Sequence, residues 1–567
     1  MTLQIITLSL VAATAVPSAA LLAMRRITIQ QVFLRHRLKL PNRAGFGTEK
    51  RVKKLVSVLT LALLTFAAHA ALPQPDLIAQ IHFAGAQKIA ADTNAALFND
   101  QFASAEALAV RKKAADKLAP WFAGWLQAKV GAKVSGGAEK LRPLFDDLQK
   151  SEWFLEARRA ANGQPQAALA IALAADRAQL WQANLKPFFP KGSFKVSGAW
   201  LLFDTGTGDL KLGDRLARQI AQPDAAWVSA DVNWPLLGAW YPSLKAFGLP
   251  QTQLQLTAAD ASLRVNGKFF FPDNLALNLE PWRMPTNTIH QPFVSFTAAR
   301  GFGGWLGSQA WAKPYSLSPG LNQLFIWALP QMAFLTFAAA PVPDATAALD
   351  QAYARLQPLF DAKQQSPNGF FAPLTLVRTN REISLRGAPY AAPFLQSVNE
   401  PSGAFLLAGA MPNLLRSKPL PPELFQRLAT KNLVFYHWEF TAERMPQVLQ
   451  LSQLALVMTS HRQLPGDSPV TKWIQKYQAV LGNNVTEITQ TGPAEMTFTR
   501  KATGLFTASE LFALGSWLES PAFPHLDLKL PPRPKGVRPR PRPAAKPPGM
   551  AVPAAPGKPA PAPAPAK

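Results

Sequence analysis

The sequence contains no cysteine among its 567 residues. This absence excludes disulfide bonds, thiolate metal sites, iron–sulfur clusters and a cysteine nucleophile. Charged residues are also scarce, at 16% of the chain, where an ordinary soluble protein has about 25%. Because hydrophobic residues make up 48%, the chain can bury a large core and is not disordered as a whole.

Acidic residues are rare at both ends of the chain, and this accounts for most of the net charge of +25. Residues 1–70 contain ten lysines or arginines and one acid, Glu49, and residues 531–567 contain eight basic residues and no acid. The 460 residues between them carry 41 basic and 33 acidic side chains. Since a nucleic-acid-binding domain concentrates positive charge on its own surface, we do not expect nucleic acid to be a partner.

Several catalytic and nucleotide-binding motifs are absent, namely HExxH, GxSxG and GxxxxGK[ST]. The segment Gly301–Gly307 comes closest to a dinucleotide-binding fingerprint, but Leu306 stands where the third glycine belongs. We interpret this segment as a loop. The histidines beyond residue 70 are too far apart in sequence to form a local metal pair. The sequence therefore predicts no cofactor-binding residues, no metal site and no catalytic set.

The N-terminal region has the pattern of an export signal. Basic residues at 51–54 precede an uncharged apolar run at 55–68, and Ala68–Ala70 provides the small residues that a signal peptidase reads. The run would rise only about 21 Å as a helix, which is too short to span a bilayer comfortably. The pattern predicts a signal peptide within a leader at 1–70, and a mature chain that is periplasmic or extracellular in a bacterium.

Residues 1–50 precede this signal and leave two interpretations open. In the first, translation starts near Val52 and the earlier residues are a wrongly set start. In the second, the apolar stretch 2–23 is retained as an inner-membrane anchor, with the basic segment 25–54 on the cytoplasmic side. We favour the first interpretation, because the signal at 51–70 is complete without the residues before it.

The C-terminal residues 531–567 contain fourteen prolines, eight basic residues and no acid. Proline fixes the backbone and removes hydrogen-bond donors, so this tail forms neither a helix nor a central strand. We predict a disordered tail whose positive charge can contact an anionic component of the cell envelope.

The remaining chain has the patterns of an α+β protein with mainly antiparallel sheets. Apolar stripes with helical spacing, among them Leu141, Leu144, Phe145 and Leu148, predict a helical region at 71–164, with helices over 84–162. Thr507 and Glu510 have the spacing of a capping box before a further helix. Alternation at Leu254, Leu256, Leu263 and Val265 predicts a hairpin.

Alternating apolar residues and turn signals predict two related α+β lobes, at 165–330 and 331–530. The motif Leu-x-Pro-x-Phe occurs four times, at 118–122, 141–145, 185–189 and 356–360. The third and fourth copies each follow a strand and a helix, one in each lobe, and indicate a diverged duplication.

Two sets of residues resemble fragments of catalytic sites. Asp204–Gly206 has the Asp-Thr-Gly sequence of aspartic proteases, but the chain has no second copy, so catalysis would require a dimer. A polar hairpin turn explains the string equally well. His437 and Glu439 alternate onto one face of a predicted strand and could act as an acid–base pair. Their aromatic neighbours favour instead a histidine that is satisfied within a sheet.

Six tryptophans lie close enough in sequence to form one aromatic-lined groove. Such a groove could stack on sugar rings or hold an apolar ligand. The six are Trp227, Trp234, Trp240, Trp282, Trp305 and Trp311.

These patterns favour an exported, envelope-associated protein with a binding or structural role and without catalysis. Its expected ligand is apolar or a glycan, and its basic tail is expected to contact an anionic envelope component. The alternative is a secreted hydrolase whose site is assembled only in three dimensions.

The leader generates the first prediction. Removal of the signal peptide after Ala70 leaves Ala71 as the first residue, because Ala68 and Ala70 occupy the two positions that the peptidase reads. Peptide mapping and N-terminal sequencing of protein from its native host will measure this. A peptide from residues 27–50 would contradict a start near Val52, and an intact leader would contradict export.

Overall fold

Antiparallel pairing joins all strands of the described chain into one sheet of 18 strands. The computed structural model describes residues 76–524. The residues left out of this range are 131–133, 207–209, 223–224, 241–248, 290–291, 309–316, 318–319, 365–374, 388–390, 412–425, 461–465 and 521–522. The leader 1–70 and the tail 531–567 therefore lie outside the described residues.

The first eight strands form one half of the sheet, which we call half A. From the outer edge inward, their order is β4, β5, β3, β2, β1, β6, β7, β8. The strands are β1 (Leu77–Phe83), β2 (Trp153–Arg159), β3 (Pro165–Ala172), β4 (Ser193–Ser197), β5 (Trp200–Asp204), β6 (Val228–Val232), β7 (Gln251–Ala259) and β8 (Ser262–Phe270).

The other ten strands form half B. From the outer edge inward, their order is β12, β13, β14, β15, β11, β10, β9, β16, β17, β18. The strands are β9 (Ser295–Arg300), β10 (Gln323–Ala328), β11 (Thr336–Val342), β12 (Thr375–Arg378), β13 (Glu382–Arg386), β14 (Phe394–Glu400), β15 (Gly403–Gly409), β16 (Leu433–Phe440), β17 (Asn483–Gly492) and β18 (Glu495–Ala502).

The halves meet where β8 pairs with β18, and Asn266 lies opposite Thr499 at the middle of this pairing. Outward from this junction, half A continues through β7, β6, β1, β2, β3, β5 and β4. Half B continues through β17, β16, β9, β10, β11, β15 and β14. The strands at these positions therefore follow one another along the chain in the same order in both halves. Half B has one additional hairpin, β12–β13, at its outer edge.

The helices connect these strands and cover the sheet. A short 3-10 helix at Thr93–Ala95 accompanies them. They are α1 (Ala86–Ala90), α2 (Ala96–Phe102), α3 (Ala105–Val130), α4 (Gly137–Lys150), α5 (Ala175–Leu185), α6 (Leu212–Ile220), α7 (Trp234–Trp240), α8 (Gly303–Ser308), α9 (Ala345–Gln364), α10 (Thr441–Ser460), α11 (Pro469–Gln478) and α12 (Ala508–Glu519).

Helix α3 packs against the core of half A and against the helices α10 to α12 that accompany half B. Its residue Phe122, 1% exposed, lies in the core cluster of half A together with α4 and α5. Its residue Val110 lies in a second cluster with α10, α11 and α12, next to half B. Near the same end, Lys113 Nζ pairs with Glu519 Oε2 at 2.6 Å. The helix thus links the two halves by burial as well as by charge.

The predicted α+β class with a mainly antiparallel sheet is confirmed for the described residues. The apolar stripe Leu141, Leu144, Phe145 and Leu148 is buried on α4 as predicted. The capping box of α12 is also present, since Thr507 Oγ1 accepts from the Glu510 amide while Glu510 Oε2 accepts from the Thr507 amide.

Other expectations need correction. Helix was predicted as far as residue 162, but 153–159 is strand β2, because this segment is paired on both sides by β1 and β3. The predicted lobe boundary at 165 falls between β2 and β3, and the boundary at 331 falls between β10 and β11, which pair with each other. The predicted loop at 301–307 contains helix α8.

Both edges of the sheet are short and carry a cationic side chain. The outermost strands, β4 and β12, have five and four residues. Lys195 is exposed in the middle of β4, and Arg378 ends β12. Short edges with positive charge disfavour pairing with another chain. None of the described helices combines the length and the apolar character that crossing a membrane requires.

Helix α3 generates a stability prediction. Truncation of its buried ring in Phe122→Ala leaves a cavity in the half A core, so we expect the free energy of unfolding to fall by about 3–5 kcal/mol. The matched control is Leu108→Ala on the same helix, where the side chain is 52% exposed, and we expect a change within about 0.5 kcal/mol. Denaturant unfolding of both variants measures the difference, and equal effects would contradict the placement of α3.

Candidate functional site

One face of the central strands is polar and faces solvent. In β8, Leu263, Val265 and Phe269 are buried, whereas Asn266 and Lys268 between them are partly exposed. Such alternation is typical of an antiparallel strand with one face on a core and the other in water. The polar face is therefore a consequence of the period-two pattern of the strand.

Strand register brings polar side chains from five neighbouring strands together on this face. Gln80 lies opposite Asp231, Asp231 opposite Gln253, and Gln253 opposite Lys268. Directly opposed residues of antiparallel strands share a face. We call the set the polar patch, and each of its members is half-buried or exposed: Gln80, Ser229, Asp231, Gln253, Gln255, Asn266, Lys268, Thr497 and Thr499.

Asp231 is the most constrained member of the polar patch. Its two carboxylate oxygens accept hydrogen bonds from Gln251 Nε2 and Gln253 Nε2, each at 2.8 Å. Burial raises the pKa of Asp231 above its usual value, against the two amides and the charge of Arg158, which lower it. The carboxylate is thus held in place by neutral amides and not by a direct ion pair.

The other ionisable member of the patch, Lys268, is paired. Its Nζ lies 2.9 Å from Glu495 Oε1 on the adjacent strand β18. Beyond it on β8, the half-buried ring of Phe270 lies opposite Glu495 and Gln251. The patch is therefore a strip of amides and hydroxyls with the Asp231 carboxyl, one ion pair and, at one end, the ring of Phe270. Beyond its other end, Arg264 and the exposed Lys501 lie opposite each other on the same face.

A charged network lies on the same face next to the patch, under α6. Glu156 is fully buried and accepts from Arg158 Nε, while Arg215 Nε lies 2.9 Å from its carboxylate. Arg158 Nη1 also pairs with Asp76 Oδ2 at 2.9 Å. Burial alone would lower the pKa of Arg158, but its bonds to Glu156 and Asp76 raise it above the usual value. These charges compensate one another.

In half B the same face carries polar residues on β18 and β17 and becomes apolar over β16, β9, β10 and β11. The register runs from Thr499 through Glu487 and Tyr436 to Ala298. Tyr436 is 5% exposed and Ala298 is fully buried. They belong to a core cluster that also contains aromatic residues of the neighbouring strands β9 to β11, namely Phe296, Phe325, Trp327 and Phe337.

The chain itself covers this apolar face. We call residues 281–289 and 292–293 the covering segment; its Met284 and Ile289 are buried in the same cluster. The segment is anchored through Gln323, whose Oε1 accepts from the Arg283 amide at 2.9 Å and whose Nε2 donates to the Pro281 carbonyl at 2.7 Å. The covering segment leads directly into β9.

Equivalent positions of the two halves differ in chemistry. Lys268 and Lys501 lie two residues beyond Asn266 and Thr499 on the same face, and two steps outward from them lead to Asp231 in half A and to Trp438 in half B. The neighbours of Asp231 across the sheet are Gln80 and Gln253, and those of Trp438 are Phe296 and Val485. The same position is thus polar in one half and apolar in the other, and both side chains are half-buried.

His437 and Glu439, the predicted acid–base pair, do share one face of β16. His437 Nε2 lies 3.9 Å from Glu439 Oε2, and its Nδ1 is 2.8 Å from Thr297 Oγ1. Burial, and then the charges of Arg500 and Arg444, lower the pKa of His437 to about 3. The imidazole is neutral and only 16% exposed, which favours a structural role.

Glu439 itself supports the start of α12. It is 3% exposed, and its Oε1 accepts from the amide of Ala508 at 2.8 Å. Burial raises the pKa of this carboxyl. Next to it, Arg500 donates two hydrogen bonds of 2.8 Å to Glu510, the capping residue of the same helix. The cluster fixes α12 on the sheet.

The Asp-Thr-Gly string forms the end of β5 and a turn. Asp204 Oδ1 accepts from Gln166 Nε2 at 3.2 Å and from the Gly206 amide at 2.9 Å. Gly206 has a φ of +76°, a conformation that favours glycine. Asp204 thus accepts from an amide side chain and from the backbone, which favours a structural role. The turn predicted here continues into residues 207–209, which lie outside the described residues.

The structure does not bring Trp227, Trp234 and Trp282 together in the predicted aromatic groove. Trp227, Trp234 and Trp282 belong to three different packing clusters. Trp227 is 2% and Trp234 5% exposed, so they serve as core. Trp305 is half-buried on the short helix α8, and Trp311 and the side chain of Trp240 lie outside the described residues.

Histidine and acidic residues of the described chain form no cluster of three or more that could hold a metal ion. His82 contacts Glu152 at 2.8 Å and stacks on Phe154. His290, His461 and His525 lie outside the described residues. A cavity of about 60 Å³ near Thr93 and Leu263 has room for roughly two waters.

Comparison of the chain with protein-family models, with curated proteins and with solved structures found no match. The site alone therefore supports the functional argument. Alternation of polar residues with Leu254, Leu256, Leu263 and Val265 is visible in the sequence, but it does not say whether the polar side stays open.

The environment of Asp231 generates a prediction about pH. Because its pKa is raised on folding above the ordinary 3.8, the folded state holds the proton more tightly than the unfolded state. Its contribution to stability is complete below the unfolded pKa and is lost as pH rises through the folded pKa. We expect Asp231→Asn to remove this decline, which thermal unfolding of both proteins between about pH 3 and 7 measures. If the stability of both proteins changes with pH in the same way, the raised pKa of Asp231 is contradicted.

Proposed function

We propose that this protein is a non-catalytic binding protein of the bacterial cell envelope, and that the polar patch is its ligand-binding surface. The observation that carries this proposal is the contrast between equivalent positions. Trp438 and its neighbour Phe296 pack in the apolar core that the covering segment closes in half B, whereas Asp231 and Gln80, at the equivalent positions of half A, are half-buried polar side chains. An interaction surface explains why this part of half A is polar.

The geometry gives less support to the alternative, a secreted hydrolase. Hydrolysis requires an acid, a base or a nucleophile that converge on one accessible point. Asp231 is held by two amides, Glu156 is buried between two arginines, and His437 with Glu439 lies in the interior. These groups are used to hold the fold together, which favours binding over catalysis.

The proposed location follows from the two ends of the sequence. The signal at 51–70 supports export, and the eight positive charges of residues 531–567 support attachment to an anionic envelope component. In this proposal the tail provides attraction that salt weakens, and the patch provides the specific contact.

We also infer that the two halves derive from one duplicated unit, with bounds near 77–270 and 295–502. The repeated strand order supports this. The Leu-x-Pro-x-Phe motifs at 185–189 and 356–360 support it too, because they fall at the end of α5 and within α9, the helices that follow the equivalent strands β3 and β11. Duplication would explain how one copy could keep an open face while the other became core.

Co-sedimentation with envelope fragments from the native host tests the proposal. We expect the full chain to sediment with the fragments, and part of this binding to persist in about 1 M NaCl, where exposed charges are screened within about 3 Å. Asn266→Arg places a long charged side chain in the middle of the patch and should abolish the salt-resistant part. Replacement of the eight basic tail residues by glutamine should abolish only the salt-sensitive part.

The matched control is Asn399→Arg, an exposed asparagine in strand β14 of half B. It should bind as the unmodified protein does, and all variants should keep the same melting temperature. Equal binding by Asn266→Arg and Asn399→Arg would overturn the assignment of the patch.

A further inference from the structure

We infer that the polar patch recognises an uncharged carbohydrate polymer of the envelope. This inference rests on the proposed function and adds the chemical class of the ligand. It is argued from three properties of the patch, namely its charge, its hydrogen-bonding groups and its extent.

The patch offers little net charge to a ligand. Of its nine members only Asp231 and Lys268 are ionisable; Lys268 pairs with Glu495, and Asp231 is held by Gln251 and Gln253. The neighbouring network of Glu156, Arg158, Arg215 and Asp76 is also internally paired. An ionic ligand would have to compete with these existing pairs, whereas a neutral ligand leaves them undisturbed.

The remaining members suit a ligand rich in hydroxyl groups. Amide side chains present both donors and acceptors, and hydroxyl side chains can do either. Sugar hydroxyls have the same dual character, so each can both give and accept a hydrogen bond. The uncharged members are Gln80, Ser229, Gln253, Gln255, Asn266, Thr497 and Thr499; of these, Gln253 already donates to Asp231 and Thr497 to the Thr489 carbonyl.

The shape of the patch favours an extended polymer over a small sugar. From Gln80 on β1 to Thr499 on β18 the patch crosses β6, β7 and β8. At about 4.8 Å between neighbouring strands, it is about 19 Å wide. The half-buried ring of Phe270 at one end of β8 offers an apolar surface on which the carbon-bound face of a sugar ring can lie.

Half B indicates how such a face is covered when the protein supplies its own cover. There, aromatic strand residues face the apolar side chains of the covering segment, so both partners have the same chemistry. By analogy, we expect the partner of the polar patch in half A to be polar and uncharged as well.

The test uses the salt-resistant binding to envelope fragments and the full chain. Periodate oxidises sugars that carry adjacent hydroxyls, whereas a protease removes proteins and an organic solvent removes lipids. We expect periodate-treated fragments to lose the binding by about tenfold or more, since several hydrogen bonds are lost together. Fragments treated with protease or solvent should retain it.

A second measurement uses defined probes in native gels. Soluble galactomannan, which is neutral, should retard the unmodified protein and Asn399→Arg, and should retard Asn266→Arg about tenfold less. Alginate, which is anionic, should show no retardation that depends on Asn266 at high salt.

The outcomes separate the two claims. Salt-resistant binding that depends on Asn266 but is lost with protease or solvent, or that is reproduced by alginate, overturns the carbohydrate assignment and leaves the binding function standing. Binding to untreated fragments that is indifferent to Asn266→Arg overturns both. Retardation by galactomannan that Asn266→Arg does not change also overturns the assignment of the ligand to this patch.

Discussion

The antiparallel pairing of β8 with β18 is the interaction on which the rest of the structure depends. β8 is the last strand of half A, and β18 is the last strand of half B. Their residues pair without a bulge from Leu263 opposite Ala502 to Phe270 opposite Glu495. Their buried backbone groups must find partners, and each strand satisfies the other. The pairing also brings Asn266 beside Thr499, so the polar patch extends across the junction.

A second constraint is the two-residue period of each strand. Side chains alternate between the two faces of β8, and one of these faces must cover a core. Every second side chain along the whole strand therefore lies on the opposite face. In half A this face carries amides and hydroxyls on β6 to β8 and a core under α6 on β2, β3 and β5, whereas in half B it carries aromatic residues under the covering segment on β9 to β11. Strands in the same order can therefore carry different side chains at equivalent positions.

Charged residues inside the protein serve mainly to hold elements in place. Arg500 and Glu510 secure α12, and Glu156 with its arginines lies between the sheet and α6. Glu439 receives the first amide of α12. A buried charge is stable only when it is paired and hydrogen-bonded, and pairs that satisfy this condition have little capacity left for chemistry. This explains why His437 and Glu439, which were catalytic candidates by residue type, have structural roles instead.

The sequence by itself determined the α+β class, the capping box at Thr507, the buried stripe of α4 and the central hairpins, because these depend on local periodicity and on neighbouring residues. Only the tertiary structure decided that all strands join one sheet, that β2 is a strand, and that the polar side of β7 and β8 stays open. Alternation shows that a strand has two faces, but what covers each face depends on segments distant in sequence, such as the covering segment of half B. Long-range pairing leaves no local pattern, so the polar patch could be located only in the folded protein.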